Sequence, residues 1–215
     1  MPLQRPLAVL ALLAFAGCAD GSTASRVPGA AGQDVAENVD RGATPGAFGV
    51  CHGYGCHSHD IAGLSGQQWR HVLEVFKSPA TSAKEERDRI AEAVGFVERA
   101  VGEQLGTKGD RPRAPMILID STQLDCVDES TNTSTTLHML NNAGLLRWHT
   151  VGEPTPRGTV LLLNIHFTAV VIEKETRMPY AIDSWFYANG VPPVIVPLAT
   201  WQRGYDPDKV PVVQH

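Results

Sequence analysis

Two β-branched runs in the last third of the chain constrain its fold most. His166-Phe167-Thr168-Ala169-Val170-Val171-Ile172-Glu173 has the composition of a strand, and Tyr180-Ala181-Ile182-Asp183-Ser184-Trp185 of a second. A charged turn near Lys174 and Glu175 joins them. A simple antiparallel hairpin is the expected arrangement. A tip centred between Lys174 and Glu175 sets His166 opposite Asp183 on one face, with Cβ atoms about 5 Å apart. A one-residue slip would put them on opposite faces.

The segment upstream of that hairpin reads as helical. In Leu124-Asp125-Cys126-Val127-Asp128-Glu129, Asp125 is an N-cap and the two later acids suit a first turn. The helix runs to Ala143 and stops at Gly144. Cys126 therefore stands at a helix N-terminus, where unpaired amides and the dipole favour thiolate over thiol. Asp128 and Glu129 oppose that, so a neighbouring imidazolium is required. The helix body, Ser130 to Thr136, has poor intrinsic propensity. Its small side chains suit a helix lying close on a sheet, buried at the centre.

Other elements are expected around this pair. Ser65 and Gln68 have capping-box spacing, and Trp69, Val72, Leu73 and Phe76 mark a helix over about 66–77. Ser82 and Glu85 begin another, with a stripe of Ile90, Val94, Val97, Val101 and Leu105 ending at Gly106. Met116–Ile119 reads as a small strand, Leu145–Val151 as another, and Val160–Ile165 as a further apolar run. Pro197 starts a short helix through Trp201. The aromatic tail around it is either core or a wall of the cleft.

A nucleophile on a helix, a base on a strand and an orienting carboxylate on the next strand make a candidate triad of Cys126, His166 and Asp183. Their order and context resemble the papain-like/transglutaminase-like cysteine superfamily, closest to the bacterial transglutaminase-like cysteine proteinases. The likeness rests on Asp125-Cys126-Val127-Asp128, on the short hairpin between His166 and Asp183, and on Ile182-Asp183-Ser184-Trp185. It covers about residues 116–215. It implies an α+β core with a Cys-bearing helix on an antiparallel sheet, acting on a peptide or protein substrate by hydrolysis or acyl transfer. An inactive relative that binds a peptide or protein partner in the same cleft is the competing reading. Gln123 is the oxyanion candidate. No cofactor is expected, although the resemblance allows calcium, with Asp120, Asp125 and Asp128 as oxygen donors; the other use of such acids is as caps. Ser65 lacks the Gly-x-Ser-x-Gly elbow of a serine hydrolase. His138 and His149 have no partner motif.

The four cysteines divide three ways. Leu7 to Ala16 is an apolar run too short to span a bilayer, which marks residues 1–17 as a signal peptide. Ala14-Phe15-Ala16 offers plain cleavage, while Phe15-Ala16-Gly17-Cys18 resembles a lipoprotein box in which Cys18 takes the lipid. The second option implies a membrane anchor in a bacterial cell envelope or periplasm. Residues 18–47, rich in Gly, Ala, Ser, Thr and Pro, read as a flexible tether. Residues 48–110 read as an N-terminal helical segment and 111–215 as the catalytic core. Cys51 and Cys56 are expected to form a local disulfide in an exported protein, with glycines 53 and 55 closing the loop. A haem attached at Cys51–His57, or zinc on Cys51, Cys56 and His57 or His59, uses the same residues. Cys126 is then the thiol left free. A net charge of −5 with no basic stripe argues against nucleic acid as a partner.

Overall fold

The computed structural model describes residues 31–114, 120–158 and 164–209. The signal peptide, Cys18, the Met116–Ile119 strand and most of the Val160–Ile165 run lie outside these residues. In chain order the elements are α1 (Ala31–Asn38), β1 (Phe48–His52), β2 (Ser58–Ala62), α2 (Gly66–Val75), α3 (Ala83–Leu105) and α4 (Cys126–Asn142). There follow β3 (His149–Val151), β4 (Thr155–Arg157), β5 (His166–Glu173), β6 (Pro179–Asp183), β7 (Val194–Pro197) and α5 (Leu198–Gln202). The fold class is α+β. The strands form an antiparallel hairpin, β1–β2, and an antiparallel sheet ordered β3-β5-β6-β7, with β4 also paired to β5.

The Ser/Thr-rich helix is central, as its small side chains require. Ser130, Thr131, Thr133, Ser134, Thr135 and Thr136 are all buried, and α4 packs on β5, β6, β1 and α3. Thr131 Oγ1 donates to the Val127 carbonyl at 2.7 Å and Thr133 Oγ1 meets Ser184 Oγ at 3.2 Å, while Ser134 Oγ has no hydrogen-bond partner among the described residues. The α3 stripe of Ile90, Val94, Val97 and Val101 joins Leu137, Met139 and Leu140 of α4 and Ala169, Val171 and Ile182 of the sheet in one core. Phe48, Val50 and Val72 belong to that core too. One core therefore draws residues from both sides of residue 110.

The β5–β6 hairpin forms, but its register differs from expectation. Ala169 pairs with Ile182 and Val170 with Ala181, which moves the centre of the tip from Lys174/Glu175 to Glu175/Thr176. The shifted turn is held where the Glu173 amide donates to the Met178 carbonyl and the Arg177 amide to the Glu173 carbonyl. The shift alters each pairing by two positions, so side-chain parity survives. His166 and Asp183 become diagonal neighbours on the same face, within reach of side chains of their length.

Two further expectations are corrected. The tether reading fails for residues 31–47. Val35 and Val39 lie one turn apart on the α1 side and are both buried, Val35 against Cys126, Val127 and Phe167. The Asp40 amide donates to Thr135 Oγ1, and Asp40 Oδ2 accepts from the Gly49 amide. An eight-residue helix is marginal alone and is held here by tertiary contact. The strand expected over Leu145–Val151 is reduced to His149–Val151 because the buried Glu86 carboxylate takes the amides of Arg147, Trp148 and His149 at 2.7–3.0 Å. Glu86 also accepts from His149 Nδ1, making that histidine a core anchor.

Candidate active site

The first turn of α4 is locked by a reciprocal capping box. Asp125 Oδ1 accepts from the Val127 and Asp128 amides, and Asp128 Oδ2 accepts from the Asp125 amide. Cys126 is the first residue of the helix, so its own amide has no intrahelical acceptor. That amide is free to donate to the oxygen of a carbonyl whose carbon meets the Sγ of the same residue.

A second, distant segment closes over this cap. Cys51 and Cys56 form a disulfide, and the loop between β1 and β2 that it clips turns back on itself. Gly53, Tyr54, Gly55 and Cys56 all have positive φ, from 57° to 81°, which only the glycines adopt without strain. The contorted loop presents three successive amides to the acids flanking Cys126. Tyr54 donates to Asp128 Oδ2 at 2.8 Å, Gly55 to Asp125 Oδ2 at 3.0 Å and Cys56 to Asp128 Oδ1 at 2.6 Å. Asn132, further along α4, holds the Cys51 backbone through both its amide and its carbonyl. The Cys51–Cys56 and Asp125–Asp128 motifs are thus one structural unit.

At the start of β5, His166 Nε2 lies 2.7 Å from Asp183 Oδ2. Trp201 Nε1 donates to the same oxygen at 2.7 Å. An oxygen that already accepts the indole proton is an acceptor, so Nε2 is the donor of this bond and Nδ1 is the nitrogen it leaves for other partners. The ring is fixed by aromatic contact with Trp185 at 4.5 Å, Trp201 at 5.4 Å and Phe186 at 5.8 Å between centroids. Arg157, paired with His166 across β4–β5, lies over Trp201 at 4.4 Å and donates to the carbonyls of Trp201 and Tyr205. It pins α5 and the following turn onto the histidine.

Cys126 meets this group at the strand's entrance. Its side chain packs with Val127 and Phe167, and Ile165 and Trp185 lie against that cluster. Its Sγ lies 3.9 Å from the Ile165 carbonyl, the residue before His166. The Trp185 ring lies against both, touching the cysteine cluster and meeting the His166 ring at a 50° tilt. Burial opposes the thiolate that the helix position favours. Cys126 is only 6% exposed, and burial pushes its thiol up to about 12; the Phe167 amide works against this, while the Asp125 and Asp183 charges add to it. The thiol is protonated at neutral pH and its proton is directed at a carbonyl.

Gln123 does not serve as the expected oxyanion donor. Its Nε2 donates to the carbonyls of Gly109 and Thr122, and its Oε1 accepts from the Arg111 backbone and side chain. Both ends of the amide are committed to the 109–111 loop. The acids that a calcium ion would use are committed as well: Asp120 Oδ1 takes the Thr122 amide and hydroxyl, and each oxygen of Asp125 and Asp128 accepts at least one amide. They do not fit a calcium site. Haem attachment or zinc binding at residues 51–59 would need free thiols, whereas Cys51 and Cys56 are joined in a disulfide. Among the described residues no three His, Cys, Asp or Glu side chains gather to hold a metal, and no helix is long and apolar enough to cross a membrane.

Sequence reasoning brought Cys126, His166 and Asp183 together as candidates but missed Trp201 as a donor to Asp183. The available signal was an aromatic cluster in the tail, which does not distinguish a core ring from a hydrogen-bonding one. No protein-family model, no curated protein and no solved structure matches the chain.

Proposed function

We propose that the chain is a thiol enzyme of the papain-like/transglutaminase-like kind, exported and lipid-anchored through Cys18 in a bacterial envelope, acting on a peptide or amide bond. The observation that carries this reading is the shared oxygen of Asp183. It holds Nε2–H of His166 and leaves Nδ1 as a free base, on a residue whose chain neighbours flank the Cys126 sulfur. In the reaction Sγ attacks the substrate carbonyl and its proton passes to His166 Nδ1. The carbonyl oxygen takes the electron pair and is met by the Cys126 amide. Collapse of the adduct expels an amine, which leaves with the proton from His166, and a thioester remains. Water resolves it in a peptidase or amidase, and a second amine in an acyltransferase. Burial favours the neutral thiol, so His166 serves as a general base during attack.

The test is activity-based thiol profiling of the wild type beside Cys126→Ala, His166→Ala and Asp183→Asn. Labelling at Cys126 that slows in the His166 and Asp183 variants supports the triad. Labelling equal in all variants that retain the thiol refutes it. A second reading, a catalytically inactive envelope lipoprotein that binds a peptide or protein partner, is favoured by one observation, the burial of Cys126. Alkylation only near the thiol's high pKa, with no turnover of any amide substrate, would establish it.

A further inference from the structure

The candidate nucleophile is covered by a segment that none of the chemistry above uses. Val35 of α1 is fully buried, and the side chains it packs with are Cys126, Val127 and Phe167, with Ile165 and Trp185 against them. The valine therefore fills space beside the sulfur, on a residue that is itself nearly covered.

The composition of α1 and its place of attachment suit a part that comes away. Gly32, Val35 and Asn38 are weak helix formers, and eight residues are too few to hold a helix alone. The fastening lies behind α1. The Asp40 amide donates to Thr135 Oγ1 at 3.0 Å, the Gly49 amide donates to Asp40 Oδ2 at 3.1 Å, and Asn142 Nδ2 donates to the Arg41 carbonyl at 3.0 Å. These bonds hold the chain from Asp40 onward on α4 and β1, whether α1 is seated or not. A short element seated by apolar contact lies at the low end of a fold's stability range, where it opens without unfolding the body.

We propose that α1 is a displaceable cover on Cys126: with Val35 seated the thiol is latent, and with α1 swung away about Val39 and Asp40 the sulfur is open to substrate. The consequence for turnover rests on the thiol-enzyme reading, whereas the cover itself is measured by access to the sulfur. Opening also changes the sulfur's chemistry. Burial is the main cause of the raised thiol pKa, so water admitted by the loss of Val35 moves it back toward its ordinary range. One movement thus exposes and activates the same atom.

The test is the rate at which iodoacetamide alkylates Cys126 in the whole protein, followed against urea below the unfolding transition. Opening of α1 alone exposes little surface, so the rate should depend on urea far less steeply than global unfolding does. Val35→Ala removes two methyl groups from the cover and should raise the rate about tenfold. Val72→Ala removes the same two groups from a fully buried position in the main core and should leave the rate in native buffer unchanged. Should Val35→Ala not fold, the urea dependence of the wild type decides. A slope equal to that of global unfolding, no acceleration in Val35→Ala, or equal acceleration in both variants overturns the cover. Turnover of an amide substrate is measured on the same samples. Faster alkylation of Val35→Ala with no turnover keeps the cover and refutes the enzyme; turnover without that acceleration does the reverse.

Discussion

The indole of Trp201 and the carboxylate of Asp183 meet at 2.7 Å, on the one oxygen that also receives His166. Trp201 is fully buried and its ring lies against His166, so it orients the acid and shields the bond between acid and imidazole. Trp201→Phe keeps the ring and removes the donor. The expected loss is about 1.5–3 kcal/mol of stability, as for other bonds to a charged acceptor, with kcat lowered and KM little changed. Denaturant unfolding alongside steady-state kinetics checks it; an unchanged kcat would remove Trp201 from the positioning of the triad.

The amides of Tyr54, Gly55 and Cys56 hold the acids beside Cys126 only while their loop keeps its left-handed path. The disulfide closes a short loop, and losing it through Cys51→Ser with Cys56→Ser should cost about 2 kcal/mol by chain entropy. The released loop also uncovers the first turn of α4, so iodoacetamide should label Cys126 faster in the double variant than in the wild type. Paired alkylation rates and melting curves measure both effects. A slower alkylation would contradict the clamp.

Glu86 ties α3 to the start of β3 through three backbone amides and His149. Glu86→Ala strands those donors in the core and should destabilise the fold by about 3–5 kcal/mol. Glu86→Gln keeps one acceptor and loses less. Urea midpoints of the two variants are expected in that order.

The acids near the α4 cap make stability depend on pH. Burial raises Glu98 to about 7 and Asp110 to about 6, and raises Glu129 as well; burial and the Asp125 charge raise Asp128 to about 7. A raised acid binds its proton more tightly in the folded state. Its contribution is complete below the ordinary carboxylate range and is lost as pH climbs through 6 to 7. Glu86 and Asp206 act oppositely. Burial pushes Glu86 up, but its bonds from His149, Trp148 and Arg147 outweigh that, and Arg113 holds Asp206 low. Their stability is present above the ordinary range and is lost at acid pH. The melting temperature should peak near the ordinary carboxylate range, about pH 4, and fall as the pH rises to about 7. A peak above pH 7 would be inconsistent with these buried acids.

What was legible in the sequence follows from short-range rules. Asp125 before Cys126 names a helix start, β-branched runs name strands, and Cys51 and Cys56 in one tight loop name a bridge. Parity along a strand is also local, which is why His166 and Asp183 share a face although the hairpin tip sits one residue from its expected centre. Only the tertiary structure decided the rest, because it depends on contacts between residues far apart in the chain. Val35 turns a Gly/Ala-rich stretch into a docked helix by burying against Phe167. Glu86 diverts the amides that would have lengthened β3. Burial reverses the charge state that helix position alone assigns to Cys126, since desolvation inside the fold outweighs the dipole at a helix end. Composition sees the thiol, the imidazole and the carboxylate; packing determines which of them is charged and which oxygen each one faces.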